Sequence, residues 1–168
     1  MAHPLELYLV RHAIAAPRGD EWPDDDKRPL TARGISRFKE EVEGLRKLGV
    51  EIDEIFTSSL VRARQTADLL SAGLPGKAAV RVLDALAPGH EPRSVLAQLA
   101  RAVRRRRVAL VGHEPGLGEL AAHLVGAGRA LPFKKGGVCR IDLESLTSRR
   151  AGALTLFVPP KLLRGLSK

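Results

Sequence analysis

The chain has 168 residues, 44% of them hydrophobic, and a formal net charge of +9 at pH 7. This length suits one domain that can bury a sizeable core, and every apolar run is too short to span a bilayer. A single cysteine, Cys139, excludes an internal disulfide and fits a reducing compartment. Because the first residues also lack the pattern of a secretory signal, we expect a single cytoplasmic domain over residues 1–168.

The spacing of apolar residues predicts an alternation of strands and helices along most of the chain. In chain order the predicted elements are a strand over 6–10, a polar loop over 13–30, a helix after Thr31 that ends at Gly49, a strand over 54–57, a helix capped by Ser58 or Ser59 that runs to about residue 72, a strand over 80–82, a helix carrying 95–103, a strand over 108–111, a helix marked by 117–124, and strands over 138–143 and 153–158. Thr31 and Ser58 or Ser59 are the predicted caps because their side-chain oxygens can accept from backbone N–H groups. Gly49 is the predicted helix end because glycine readily adopts the left-handed backbone conformation found there.

This order of elements predicts a three-layer α/β/α sandwich around a mostly parallel sheet. The apolar run over 108–111 is typical of a central parallel strand. The last two strands depart from the alternation and read as a hairpin that ends at Pro159 and Pro160. We therefore expect the sheet to gain antiparallel strands near the C-terminus.

Two histidines, His12 and His113, each come directly after a predicted strand. In an open α/β sheet, ligands bind beyond the carboxyl ends of the strands, so both imidazoles should reach one site. Arg11 precedes the first histidine, and Arg62 lies in the first turn after another strand. Each feature alone is common on protein surfaces, but their occurrence at three strand ends predicts a catalytic site.

The residue types at this site suit phosphoryl transfer. Such transfer depends mainly on positioning and on stabilising the charge of the phosphoryl oxygens. The forks of Arg11 and Arg62 can each donate two hydrogen bonds to a phosphate, which makes them the predicted phosphate-binding pair. A neutral histidine can attack phosphorus, so His12 or His113 is the predicted nucleophile, with the other donating to a phosphoryl oxygen. Spacing alone does not distinguish their roles.

Other chemical signals are weaker. His90 and Glu91 lie in a turn that could overhang the pocket, as its rim or as a general acid. His123 lies within a predicted helix, and we interpret it as a packed or surface residue. Cys139 lies within an aliphatic strand, and we interpret it as a small core residue. The histidines and the cysteine show no metal-ligand spacing, and we predict neither a metal nor another cofactor.

These motifs resemble the histidine phosphatase superfamily, which has the phosphoglycerate mutase-like fold, and within it the small bacterial phosphohistidine phosphatases of the SixA type. The resemblance covers essentially the whole chain and rests on five stretches in the expected order: Leu9-Val10-Arg11-His12, Arg28-Pro29-Leu30-Thr31-Ala32-Arg33-Gly34, Ser58 to Ala67, Val111-Gly112-His113-Glu114-Pro115 and Phe157 to Leu162. It implies that His12 is phosphorylated and that Arg11, Arg62 and His113 bind the transferred group. Ala13 and Ser59 replace the glycine and proline of many members.

The resemblance also bears on the substrate. Larger members of the family carry an acidic residue before the second histidine as a general acid, whereas residues 83–92 offer only Asp84 and Glu91 without a clear match. An alkoxide needs a positioned acid, worth roughly 10²–10⁴-fold, whereas a leaving imidazole protonates near neutrality. The absence favours a metal-independent phosphatase that cleaves the P–N bond of phosphohistidine in a protein. The alternative is a phosphomonoesterase that acts on a small metabolite.

The expected partners follow from this chemistry: a phosphorylated protein, with a histidine-phosphotransfer domain as one candidate, and phosphate or another tetrahedral anion in the pocket. The basic surface would help to recruit an acidic partner. A polyanion-binding module that retains the fold is the alternative from another class. We favour it least, since only one Trp, one Tyr and four Phe are present to stack bases and the run Arg104–Arg107 is typical of a solvated helix end. We expect neither membrane nor nucleic acid as a partner.

Overall fold

A computed structural model describes residues 4–168. In chain order its helices and strands are β1 (Leu5–Arg11), α1 (Ala32–Lys47), β2 (Glu54–Thr57), α2 (Val61–Gly73), β3 (Ala79–Val82), α3 (Pro92–Ala102), β4 (Arg107–Gly112), α4 (Gly116–Val125), β5 (Val138–Leu143), β6 (Ala153–Val158) and α5 (Pro160–Leu166). Short 3₁₀ helices lie at Asp25–Lys27 and Asp84–Leu86. Within the described residues, no helix is both long and apolar enough to cross a membrane.

The strands form one sheet in the order β3-β2-β4-β1-β5-β6. The four strands β1 to β4 run parallel, and β5 and β6 pair antiparallel at one side. Helices cover both faces of this sheet, so the predicted three-layer sandwich with antiparallel strands near the C-terminus is confirmed.

The two faces of the sheet carry separate apolar cores. On one face, helices α1, α2 and α5 pack over Val10, Ile55 and Val111 of the central strands. On the other face, α3 and α4 pack over Leu9 and Leu110. Alternate residues of β1 and β4 thus enter opposite cores, as the twofold side-chain period of a strand requires. Burial on both faces explains the continuous apolar runs over 7–10 and 108–111.

The helix starts differ in how well the sequence predicts them. The Thr31 hydroxyl accepts a hydrogen bond of 2.9 Å from the Gly34 N–H, so the predicted cap of α1 is confirmed. The predicted cap of α2 is wrong: its N-cap is Leu60, which has no side-chain hydroxyl to offer. Ser58 lies two residues before this N-cap, and its hydroxyl accepts a hydrogen bond from the Leu60 N–H at 3.3 Å.

Helix α5 is absent from the sequence prediction, in which Pro159 and Pro160 only end the last strand. Pro160 occupies the first turn of this helix, where a missing N–H costs nothing. The helix packs against α1 at Gly44, where a Cβ atom would overlap the backbone of Leu163. A short helix of this kind depends on tertiary packing rather than on its own propensity.

The arginine run lies at the edge of the sheet opposite the two histidines. Helix α3 ends at Ala102, so the run is a connector into β4 rather than a helix end, and that interpretation is corrected. The Glu54 carboxylate accepts from the backbone N–H groups of Arg104 and Arg105 at 2.9 and 3.3 Å. Arg107 donates to the Asp53 carboxylate at 2.7 and 2.9 Å. Part of the basic charge therefore holds this edge together.

Candidate active site

The register of the sheet brings the two predicted histidines side by side. Arg11 of β1 pairs with Gly112 of β4, so His12 and His113 occupy the next positions at the carboxyl ends of neighbouring strands. The His12 N–H donates to the Gly112 carbonyl at 3.0 Å. The two ring centroids are 5.1 Å apart, and each residue is only 6% exposed.

One nitrogen of His12 is fixed by the backbone. Its Nδ1 lies 2.7 Å from the carbonyl oxygen of Ala13, and a carbonyl can only accept, so the hydrogen resides on Nδ1. Burial lowers the pKa of His12 to about 4; the bond to Ala13 opposes this shift, and the charges of Arg62 and Arg11 add to it. At neutral pH the ring is therefore uncharged, and Nε2 carries a free lone pair.

His113 is held by a serine from a third strand end. Its Nε2 lies 2.6 Å from the hydroxyl of Ser58, which follows β2 directly. Burial, together with the interaction with His12 when that ring is protonated and the charge of Arg62, lowers the pKa of His113 to about 3. The contact with Ser58 orients the second ring, and the sequence interpretation of Ser58 as a helix cap missed it.

Arg62 enters the site from the first turn of α2 and is only 3% exposed. Its two terminal nitrogens donate to Asp25, one to the carbonyl oxygen at 2.8 Å and one to the carboxylate at 3.0 Å. Burial alone would raise the pKa of Asp25, but its bond with Arg28 and the charge of Arg62 lower that pKa overall, so the carboxyl is ionised. Arg62 is thus held by an anion of the chain itself.

Arg11 is held by the segment that precedes β5. Its Nη1 donates to the carbonyl oxygen of Phe133 at 2.7 Å. The Phe133 N–H in turn donates to the Glu114 carboxylate, which also accepts from the Gly118 N–H at 2.8 Å. Glu114, which follows His113 in the sequence, therefore supports Arg11 through the backbone of Phe133.

Three buried side-chain polar atoms make no hydrogen bond within residues 4–168, and all three lie at this site. They are Nε of Arg11, Nε of Arg62 and Nδ1 of His113. A buried donor without a partner costs about 1–3 kcal/mol, so native proteins rarely retain one without a reason. Guanidinium nitrogens only donate, so the group that would satisfy them is an acceptor, and their charge favours an anion.

Two further residues at the site, Arg28 and Asp25, are not among the site residues predicted from the sequence. Arg28 is buried and donates to the Asp25 carboxylate at 3.0 Å and to the Ala16 carbonyl at 2.7 Å. Asp25 thereby joins Arg28 and Arg62. The available signal was the acidic run before the Arg28-Pro29 motif, since residues three apart on a helical turn can pair.

The predicted rim residues lie beside the site rather than within it. His90 and Glu91 are exposed and line a cavity of about 260 Å³ that also touches His113. Neither side chain makes a hydrogen bond to the four clustered residues. His123 is exposed on α4, and Cys139 is buried in β5, as interpreted. Among residues 4–168, no group of three or more potential ligands (His, Cys, Asp, Glu) could hold a metal ion.

Comparison with known proteins identifies the family. Residues 7–87 match the model of the histidine phosphatase superfamily, branch 1. The chain therefore belongs to the histidine phosphatase superfamily. It is 38% identical to an uncharacterized protein of Picosynechococcus sp. over 165 residues, which is 95% of this chain and 99% of that protein.

Among solved structures, the chain resembles the protein histidine phosphatase SixA in its complex with tungstate. The TM-score is 0.80 at 25% identity, over 94% of this chain and 99% of SixA. A phosphoserine phosphatase from Entamoeba histolytica, in complex with 3-phosphoglyceric acid, has a TM-score of 0.65 at 16% identity, over 90% and 95% of the two chains. This second likeness concerns the fold alone.

Proposed function

We propose that this protein is a phosphohistidine phosphatase that works without a metal and forms a phosphohistidine on His12. The observation that carries the proposal is the set of three unpartnered buried polar atoms on Arg11, Arg62 and His113, next to a neutral His12. Two cationic forks and one imidazole nitrogen suit the oxygens of a tetrahedral phosphoryl group. The sulfate-like tungstate in the SixA structure fits the same anion chemistry.

The first step is an attack by Nε2 of His12 on phosphorus. A bond forms between Nε2 and phosphorus, and the bond from phosphorus to the substrate imidazole nitrogen breaks. The departing nitrogen takes a proton from water, and the hydroxide formed is neutralised by the proton that the second step releases. The Nδ1 hydrogen bond to Ala13 fixes the ring with Nε2 as its free nitrogen. Arg11 and Arg62 hold the phosphoryl oxygens and stabilise their charge during transfer.

His113 donates to a phosphoryl oxygen in both steps. When the Ser58 hydroxyl donates to Nε2 of His113, the ring hydrogen lies on Nδ1, which is the nitrogen without a partner. In the second step, water attacks phosphorus, the bond to Nε2 of His12 breaks, and inorganic phosphate leaves. The proton released by the water goes to the phosphate or to solvent, and His12 returns to its neutral form.

Within residues 83–92, no acidic side chain bonds to the site, and the lack of a general acid in this segment favours cleavage of P–N over P–O bonds. Asp84 and Glu91, the acidic residues before His113, make no side-chain hydrogen bond to the site. The similarity to SixA supports the same substrate class. A second candidate, a phosphatase of small phosphate esters, gains support from Glu91, because this carboxyl lines the cavity that touches His113. In that reaction Glu91 would protonate the leaving alcohol.

A substrate panel distinguishes the two reactions. The panel contains a phosphohistidine peptide, phosphoramidate, a phosphoserine peptide and glycerol 3-phosphate, each assayed with and without EDTA. We expect kcat/KM for the two P–N substrates to exceed that for the esters by about 100-fold or more. The reason is that cleavage of an ester needs a positioned general acid to protonate the leaving alkoxide. We expect EDTA to change none of these values. A preference for esters that disappears in Glu91→Gln would instead support the second candidate.

Trapping the intermediate tests the nucleophile. Labelled substrate should transfer its phosphoryl group to the protein as an acid-labile, base-stable adduct that maps to His12. The variant His12→Ala should give no adduct and no turnover. His123→Ala is the matched control, because this histidine is exposed on α4 away from the pair. Ordinary turnover by His12→Ala would contradict the proposal.

A further inference from the structure

A tight turn holds Lys135 beside the proposed nucleophile. The Gly136 N–H lies 3.1 Å from the carbonyl oxygen of Arg11 and 3.2 Å from that of His12. The Arg11 N–H donates to the Gly137 carbonyl at 3.1 Å. Gly136 has a φ of 83°, which favours glycine. Because the turn is bonded to the backbone of the site, the exposed side chain of Lys135 projects at its rim.

Arg18 contributes a second exposed cation at the same rim. It lies on the loop between β1 and the 3₁₀ helix, and its side chain is 80% exposed. Its Nε is 3.3 Å from the Asp25 carboxylate, which also bonds Arg62. Asp25 therefore links the exposed guanidinium of Arg18 to the arginine that we assign to the phosphoryl group.

Several arginines lie around Lys135 at this rim, and Asp25 pairs with three of them. Partial burial and the charges of four arginines lower the pKa of Lys135. The arginines are Arg11, Arg28, Arg62 and Arg18. The phosphoryl group would engage Arg11 and Arg62, which leaves the exposed Arg18 and Lys135, of which Arg18 also pairs with Asp25, for a second anionic group.

We propose that Arg18 and Lys135 bind an acidic side chain that the substrate protein carries close to its phosphohistidine. This inference rests on the proposed function and names the surface chemistry of its partner. A phosphohistidine in a protein arrives with its neighbouring side chains, and those neighbours meet the rim when the phosphoryl group reaches the buried arginines. Cations on such a rim attract acidic partners and select among them, more strongly at low salt.

Two phosphohistidine peptides test the rim. In one peptide the phosphohistidine is flanked by glutamates, and in the other by glutamines. At low salt we expect the wild type to prefer the acidic peptide about fivefold to tenfold in kcat/KM, mainly through KM, as expected for exposed ion pairs. The preference should fall toward one at 0.5 M salt. In the double variant Arg18→Ala, Lys135→Ala it should fall to less than twofold at low salt as well.

The matched control is Arg105→Ala, because this exposed arginine lies at the opposite edge of the sheet. It lowers the net charge without touching the rim and should retain the full preference. Equal kcat/KM for the two peptides in the wild type, or an undiminished preference in the double variant, would overturn the rim proposal while the proposed function stands. If the wild type cleaves neither peptide, the proposed function fails and the rim proposal fails with it.

Discussion

Asp25 holds Arg62 at two points, through its carbonyl oxygen at 2.8 Å and its carboxylate at 3.0 Å. The same carboxylate accepts from Arg28 at 3.0 Å. A negative charge therefore stands next to an arginine that we assign to a dianionic phosphoryl group. It fixes the guanidinium in place, but it also repels the incoming anion.

Removing this charge should strengthen anion binding. Asp25→Asn retains an oxygen that can accept from an arginine, while one negative charge near the phosphoryl group is lost. We expect inorganic phosphate to inhibit the variant with an inhibition constant about 3–10-fold lower than in the wild type. Asp26→Asn is the control, since Asp26 is exposed and its carboxylate makes no ion pair. Weaker inhibition in Asp25→Asn would mean that its role in holding Arg62 dominates.

The hydroxyl of Ser58 should matter for turnover, because it lies 2.6 Å from Nε2 of His113. Ser58→Ala removes the one side-chain hydrogen bond that this ring makes within residues 4–168, so kcat for phosphoramidate should fall about tenfold, the usual worth of one such hydrogen bond. The neighbouring Ser59→Ala serves as control, because Ser59 is exposed and bonds nothing in the site. Equal kcat in the two variants would exclude an orienting role for Ser58.

Most of the fold follows from local patterns in the sequence. Strands β1 and β4 are buried on both faces and therefore read as continuous apolar runs, which made their ends, and hence His12 and His113, visible in the sequence. The order of strands and helices was sufficient to predict the three layers. Arg62 could also be predicted from the sequence, because a helix that follows a strand starts its first turn at the carboxyl end of that strand, beside the two histidines.

The residues that the sequence did not reveal depend on distant contacts. Asp25 belongs to the site only because Arg62, 37 residues further along, reaches it. Ser58 was interpreted as a helix cap, since nothing local indicates that its hydroxyl meets His113. Helix α5 likewise forms against Gly44 of another helix. Such pairings are set by the sheet register, which an isolated sequence pattern does not contain.

Glu114 is a positioning residue for Arg11 through the backbone of Phe133. Glu114→Ala should release the segment that accepts from Arg11, and we expect the Kd for tungstate to rise about tenfold, equivalent to about 1.4 kcal/mol. Glu114→Gln retains an oxygen for the Gly118 and Phe133 N–H groups and should recover most of the affinity. Glu119→Ala, on the exposed side of α4, is the control.

Rescue by Glu114→Gln separates a positional role from an electrostatic one. If Glu114→Gln binds tungstate as weakly as Glu114→Ala, the carboxylate acts through its charge rather than through the backbone bonds. A Kd that is unchanged in Glu114→Ala would show that Arg11 is held without this support. Thermal unfolding of both variants shows whether either loss comes from unfolding of the protein.

The low pKa values of the two histidines predict that the protein loses stability in weak acid. His12 and His113 have pKa values of about 4 and about 3 in the folded protein, against about 6.5 in an unfolded chain. Between these values the unfolded state binds more protons than the folded state, so the free energy of unfolding falls as the pH falls. Each histidine contributes up to about 1.4 kcal/mol per pH unit across that window.

Chemical denaturation without phosphate at pH 7, 6 and 5 measures this slope. We expect His12→Gln to have a shallower loss of stability between pH 6 and 5 than the wild type, because glutamine binds no proton in either state. The comparison of slopes cancels the other titrating groups, which both proteins share. His123→Gln should retain the wild-type slope, since this exposed histidine is not part of the buried pair. An identical slope in His12→Gln and the wild type would mean that His12 takes up its proton as readily in the folded state as in the unfolded one, and the neutral nucleophile in the proposed mechanism would then need another cause.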